Sequence, residues 1–120
     1  MNLNNPIIRL CIQGTQLEYA GRLTDARNLY QQAWDSARDN YELCIAAHYL
    51  AHLEKEPQTA LHWNRIALEH ARSVPVEIVR DFLPSLYLSL GKSHEQLGQT
   101  QEAQHFYTLS SSLGVEHKME

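Results

Sequence analysis

Apolar side chains recur three or four positions apart along most of this chain, which is the spacing of one face of an α-helix. The first run contains Ile8 and Cys11 and stops at Gly21, because glycine readily adopts the left-handed conformation that ends a helix. Thr24 and Asp25 follow, and they supply the cap and the first-turn charge of a second helix. The pattern therefore predicts a pair of helices joined by a short turn.

Two registers show that this helix pair recurs along the chain. A shift of 34 residues pairs four positions of identical type: Ala26, Ala33, Ala37 and Arg38 with Ala60, Ala67, Ala71 and Arg72. A shift of 77 residues pairs five more: Gly14, Glu18, Gly21, Ala26 and Tyr30 with Gly91, Glu95, Gly98, Ala103 and Tyr107.

The registers predict an all-α fold, an α-solenoid of three antiparallel helix pairs in a single domain of residues 1–120. Stacked pairs of this kind bury a continuous core that one pair alone does not form. The three repeats cover about residues 7–40, 41–74 and 75–113, and residues 114–120 form a tail.

About nine extra residues separate the second and third units. They place Val76, Val79 and Leu83 at helical spacing, so we expect them to extend the fifth helix and make it the longest. Pro84 lies inside this run and predicts a kink, or a break near Leu83. The sixth helix is predicted at about 100–113.

Composition narrows the class of function. Hydrophobic residues make up 43% and charged residues 20% of the chain, a globular balance rather than a disordered one. The net charge of −4 argues against a nucleic-acid or anionic-membrane surface, since both need a basic excess. Cys11 and Cys44 are too few for a disulfide scaffold and lie in apolar helical patterns. Free thiols in a reducing cytoplasm are the expectation.

The repeated residues resemble those of the tetratricopeptide repeat (TPR) family, which has a 34-residue helix-pair unit. The third unit matches best, with Leu90, Gly91, Gly98, Ala103 and Tyr107 at the motif positions. The second unit departs most, with His48 for the small residue, Lys55 for the turn glycine and Asn64 for the aromatic.

The resemblance implies a non-enzymatic adaptor that binds a protein or peptide in a concave groove lined by the first helix of each pair. The family's chaperone-binding carboxylate clamp is not matched here. Among the groove positions, Ile45 and Tyr49 are expected to anchor a ligand, and the acidic excess favours a peptide with some positive charge. The residues transferred to the groove are Ile8, Cys11, Thr15, Glu18, Glu42, Ile45, Tyr49, His52, Ser85, Ser89, Lys92 and Glu95.

The alternative is a self-associating scaffold, a homodimer without a dedicated groove ligand. Phe106, Leu109 and Leu113 form an apolar strip on the last helix, and an exposed strip of this kind marks a contact site.

Enzymatic chemistry is not indicated, because the chain has no glycine-rich phosphate loop and no nucleophile motif. His48 and His52 stand four apart but lack the glutamate of the zincin motif, so no metal or cofactor is expected.

Overall fold

The computed structural model describes the backbone of residues 3–119 and the side chains of residues 3–113. This part of the chain is helical and contains no strand, which confirms the predicted all-α class. The helices are α1 Pro6–Tyr19, α2 Leu23–Ser36, α3 Asn40–His52, α4 Pro57–Ala71, α5 Val76–Val79, α6 Leu83–Gln96 and α7 Thr100–Met119.

The six longer helices form three consecutive pairs. Helix α1 packs on α2, α3 on α4, and α6 on α7, and the pairs are joined by packing of α2 on α3 and of α4 on α6. Short turns inside each pair make its helices antiparallel. This stacking confirms the predicted arrangement of helix pairs.

The predicted extension of the fifth helix is wrong. The extra residues form the separate four-residue helix α5, and α6 begins at Leu83 with Pro84 in its first turn. Proline suits this position because its missing N–H would have no partner there, whereas inside a helix it breaks a hydrogen bond. The break near Leu83 is therefore confirmed, and α6 has 14 residues.

The longest helix is instead α7, with 20 residues. Its backbone continues through Met119, so the end predicted near residue 113 is too early, and most of the predicted tail is helical. The side chains of residues 114–120 lie outside the described part.

The first and third pairs turn in the same way. Gly21 and Gly98 have φ of 80° and 76°, values that most other residues adopt only with strain. Beyond each glycine, a backbone N–H reaches back to the helix, from Arg22 to the Leu17 oxygen at 2.9 Å and from Gln99 to the His94 oxygen at 2.8 Å. Both turns are Schellman motifs.

Close helix approach also repeats 77 residues apart. A Cβ added to Gly14 would lie 2.7 Å from Cδ1 of Tyr30, and one added to Gly91 would lie 2.6 Å from Cδ1 of Tyr107. In both pairs the tyrosine hydroxyl donates to a glutamate four residues after the glycine, Glu18 or Glu95. The sequence register thus corresponds to a repeated structural contact.

Candidate functional site

A pocket of about 510 Å³ lies between α3 and α6. Its third side is the inserted segment, formed by α5 and the turn that leads into α6. The residues around it are Tyr41, His48, Tyr49, His52, Ile78, Asp81, Phe82, Ser85, Leu88, Ser89 and Lys92.

Aromatic rings form much of the pocket wall. The ring of Phe82 stands perpendicular to that of His48, with centroids 5.0 Å apart. Tyr49 lies 5.2 Å from His52 and 5.4 Å from the buried ring of Tyr30. Tyr30 therefore supports Tyr49 from the core side, and the rings give this wall a large apolar contact area.

A polar cluster with two buried members replaces the glycine–tyrosine contact in the second pair. His48, His52 and Asn64 occupy the positions 34 residues after Gly14, Glu18 and Tyr30. His48 and Asn64 are buried, with 4% and 2% exposure.

Two hydrogen bonds hold this cluster together. His48 Nδ1 lies 3.2 Å from Asn64 Oδ1, and His48 Nε2 lies 3.2 Å from His52 Nε2. The larger His48 side chain is accommodated because the shorter Asn64 stands where the outer pairs have a tyrosine.

The pKa of His48 is lowered to about 3, chiefly by burial and also by nearby His52, while the Asn64 hydrogen bond opposes the change. His48 is therefore neutral near pH 7. Since the Asn64 oxygen accepts only, His48 Nδ1 carries the proton and donates to it. His48 Nε2 is then an acceptor, and His52 Nε2 donates to it.

His52 lies at the edge of the pocket, with 36% of its side chain exposed. Burial lowers its pKa, Glu18 opposes this, and Lys92 adds to the lowering. The Nδ1 atom of His52 is 4.0 Å from Glu18 Oε1.

Five of the predicted groove residues line the pocket: Tyr49, His52, Ser85, Ser89 and Lys92.

Three other predicted groove residues make contacts inside their own helix pairs. The Thr15 hydroxyl donates to the Cys11 carbonyl and lies 3.1 Å from the Tyr30 hydroxyl. Glu18 and Glu95 each accept a tyrosine hydroxyl.

The remaining four predicted groove residues belong to the core. Ile8, Cys11 and Ile45 have 0% exposure and Glu42 has 2%, so they offer no surface to a ligand. The physical reason is that α1 packs on α3 as well as on α2. The faces of α1 and α3 that were expected to form one end of an open groove are instead buried where these two helices pack on each other.

Glu42 has a structural role. Its carboxylate accepts hydrogen bonds from the Asn5 amide and the Arg38 backbone N–H and pairs with the Arg38 guanidinium at 3.5 Å. Burial alone would raise the pKa of Glu42, but these partners outweigh it and lower the pKa. Glu42 thus fastens the start of α3 to the residues before α1 and α3.

Six pocket residues were not predicted from the sequence. Three belong to the inserted segment, which has no counterpart in the other two units and so could not be placed by transfer. The proline at the start of α6 was the available signal that this segment forms a separate wall. The six residues are Tyr41, His48, Ile78, Asp81, Phe82 and Leu88.

The predicted self-association strip is partly buried. Phe106 stacks on His94 at 5.5 Å with an interplanar angle of 10°, and it also lies 6.1 Å from Tyr87. Phe106 and Leu113 both pack against the core cluster that includes Leu86 and Leu90, and Leu109 is half-buried.

The thiols of Cys11 and Cys44 are free and buried, and burial raises the pKa of each to about 12. They remain protonated near pH 7 and are poor nucleophiles.

Among the described residues, no group of three or more His, Cys, Asp or Glu side chains is arranged to hold a metal ion. Over the same part of the chain, none of the helices combines the length and hydropathy that a membrane span requires.

Comparisons with protein-family models, curated proteins and solved structures gave no match for this chain.

Proposed function

We propose that this protein is a non-enzymatic peptide-binding module of the TPR type and that the pocket between α3 and α6 is its binding site. The observation that carries the proposal is the pocket itself. Its volume of about 510 Å³ is in the range of ligand sites. Its wall combines aromatic anchors with a few polar groups, as ligand sites require for affinity and orientation.

The TPR assignment is supported by contacts that recur between the first and third pairs. The approach of Gly14 to Tyr30 and of Gly91 to Tyr107 joins the two helices of each pair in the same way. The Schellman turns at Gly21 and Gly98 repeat in the same register. Two unpaired, buried thiols support a reducing compartment, the cytoplasm, as the protein's location.

An extended peptide is the ligand class that this pocket favours. Two of its apolar side chains, Ile78 on α5 and Leu88 on α6, are 53% and 44% exposed. Exposed anchors on two different walls suit successive side chains of an extended peptide better than one compact small molecule.

The test is selection of a random nine-residue peptide library on the folded protein, followed by affinity measurements on two matched variants. Ser89→Trp fills the pocket, whereas Ser111→Trp makes the same change at an exposed position of α7 outside it. We expect selected peptides to bind Ser89→Trp at least about 30-fold more weakly and Ser111→Trp as well as wild type, because a filled pocket cannot accept an anchor.

Circular dichroism will confirm that both variants are folded, and Ser85→Trp provides a second filled pocket if Ser89→Trp is not. Peptides that bind the filled and the open pocket equally would overturn the proposal, as would a library from which none can be selected.

A further inference from the structure

The charges of the predicted groove are not equally available. Glu42 is buried against Asn5 and Arg38, and Glu18 and Glu95 accept tyrosine hydroxyls. Lys92, in contrast, is exposed at the pocket and forms no ion pair or hydrogen bond with another described residue. None of these three glutamates is among the residues that line the pocket, so they do not give it the acidic excess that favoured a positively charged peptide.

Ser85, Ser89 and Lys92 lie at i, i+4 and i+7 on one face of α6, and all three line the pocket. This spacing places two hydroxyl donors and one ammonium along the same wall. Such a row suits a carboxylate, because Ser89 and Lys92, one turn apart, can both donate a hydrogen bond to it and the ammonium also contributes charge.

His52 completes this end of the pocket and can take up a proton without disrupting its neighbours. Its Nε2–H already donates to neutral His48, so an added proton goes to Nδ1, which faces Glu18 at 4.0 Å. His48 has no such freedom, because a proton on its Nε2 would oppose the N–H of His52.

Resting on the proposed function, we propose that the pocket selects peptides with an acidic side chain, held by Lys92 and the α6 hydroxyls, and that His52 takes up a proton when the peptide binds.

The direction of the proton linkage follows from the groups that face His52. Glu18 faces it from α1, His48 and Tyr49 from α3 and Lys92 from α6, while Asp81 and Tyr41 line the same pocket. Lys92 lowers the pKa of His52 in the free protein. A bound carboxylate places its negative charge beside that ammonium and offsets the effect of Lys92 on His52, so the pKa of His52 rises. The complex then holds more protons, and affinity increases as pH falls.

The experiment uses two nine-residue peptide libraries with C-terminal amides, one with a fixed central Glu and the other with a fixed central Gln. From the Glu library we take the tightest peptide whose binding is weakened by Ser89→Trp, here called pocket-dependent. This peptide and its Glu→Gln form are then titrated by calorimetry against the full chain. We expect the Glu form to bind about tenfold more tightly to wild type, and the difference to shrink to under about twofold in Lys92→Met. Lys55→Met, an exposed lysine in the turn after α3, should behave as wild type.

Proton uptake by His52 is tested by a separate measurement. Affinity of the Glu peptide should rise about threefold or more from pH 8 to pH 6, with proton uptake visible as a dependence of the binding enthalpy on the buffer. His52→Gln keeps a donor toward His48 and should abolish the pH dependence while binding at pH 8 persists.

The outcomes separate the two proposals. Pocket-dependent peptides without preference for Glu over Gln would overturn acidic selection and leave the peptide-binding proposal standing. Binding without proton uptake, or with unchanged pH dependence in His52→Gln, would overturn the proton linkage. If no peptide from either library binds Ser89→Trp more weakly than wild type, both proposals would be overturned.

Discussion

At the residue scale, the tightest constraints in the fold are two helical glycines. Gly14 and Gly91 lie against the rings of Tyr30 and Tyr107, leaving no room for a methyl group. The sequence register of 77 residues identified these positions as equivalent, and their small size could be explained before the structure was known. The hydrogen bonds from the tyrosine hydroxyls to Glu18 and Glu95 could not be predicted, because a register does not show the direction of a side chain.

Gly14→Ala should destabilise the protein by up to about 2 kcal/mol, although alanine in a helix is intrinsically more stable than glycine by about 1 kcal/mol. The clash with the Tyr30 ring outweighs this gain, because overpacking in a filled core costs about 1–3 kcal/mol. Urea denaturation measures the change. In a Tyr30→Ala background the same Gly14→Ala change should be neutral or stabilising; a destabilisation of equal size in both backgrounds would refute the contact as the cause.

His48 makes the free energy of unfolding depend on pH. Its pKa is lowered to about 3 in the folded protein from an ordinary 6.5, so below pH 6.5 the unfolded chain binds a proton that the folded protein excludes. The free energy of unfolding therefore keeps its full His48 contribution above about pH 6.5, and it falls as the pH drops toward 3. From pH 7 to pH 5 we expect a loss of about 2 kcal/mol from this residue, at about 1.4 kcal/mol per pH unit below 6.5.

Urea denaturation at pH 7 and pH 5 tests this loss, with His48→Gln as the comparison. The variant should lose distinctly less stability over the interval than wild type, because it has no imidazole to protonate. The same loss in both proteins would show that His48 is not the group responsible.

At the element scale, the inserted segment decides where the pocket lies. Periodicity alone continued the pattern of Val76 and Val79 into Leu83, and so predicted one long helix. Pro84 was the signal for a break, but whether a proline kinks or ends a helix depends on the packing of the preceding turn. Here Val79 is buried in the core and Phe82 packs on His48, which holds α5 apart from α6.

Substitutions at two neighbouring residues of α5 should have different effects, one on stability and the other on peptide binding. Val79 is 2% exposed, so Val79→Ala should cost about 1–2.5 kcal/mol of stability through lost burial and a cavity. Ile78 is 53% exposed beside the pocket, so Ile78→Ala should change stability by less than about 0.5 kcal/mol yet weaken peptide binding. Thermal unfolding and peptide titration on both variants provide the comparison, and a reversed order of destabilisation would contradict the placement of α5.

At the scale of the whole molecule, three stacked helix pairs were predictable and the usable surface was not. The repeats define which helices form pairs, but the angle between pairs determines which faces remain open. Packing of α1 on α3 buries Ile8 and Ile45, so the proposed binding surface is confined to the half of the molecule around α3, α5 and α6.

Self-association through Phe106, Leu109 and Leu113 stays a prediction. If this strip forms a homodimer, sedimentation equilibrium should give twice the monomer mass, and Leu109→Glu should return the monomer because an unpaired charge at an apolar contact is costly. Leu23→Glu, at a residue of α2 that is 48% exposed, is the control. Monomer mass for wild type at high micromolar concentration would reject the homodimer.

The central claim is that the pocket between α3 and α6 binds peptide. The most direct measurement is a titration of isotope-labelled protein with a selected peptide, followed residue by residue in amide NMR spectra. The account predicts that the largest shifts fall in residues 41–52 and 78–92, which surround the pocket. The account would be contradicted if the largest shifts fell in helices α2 and α7 while the amides of residues 41–52 and 78–92 were unchanged.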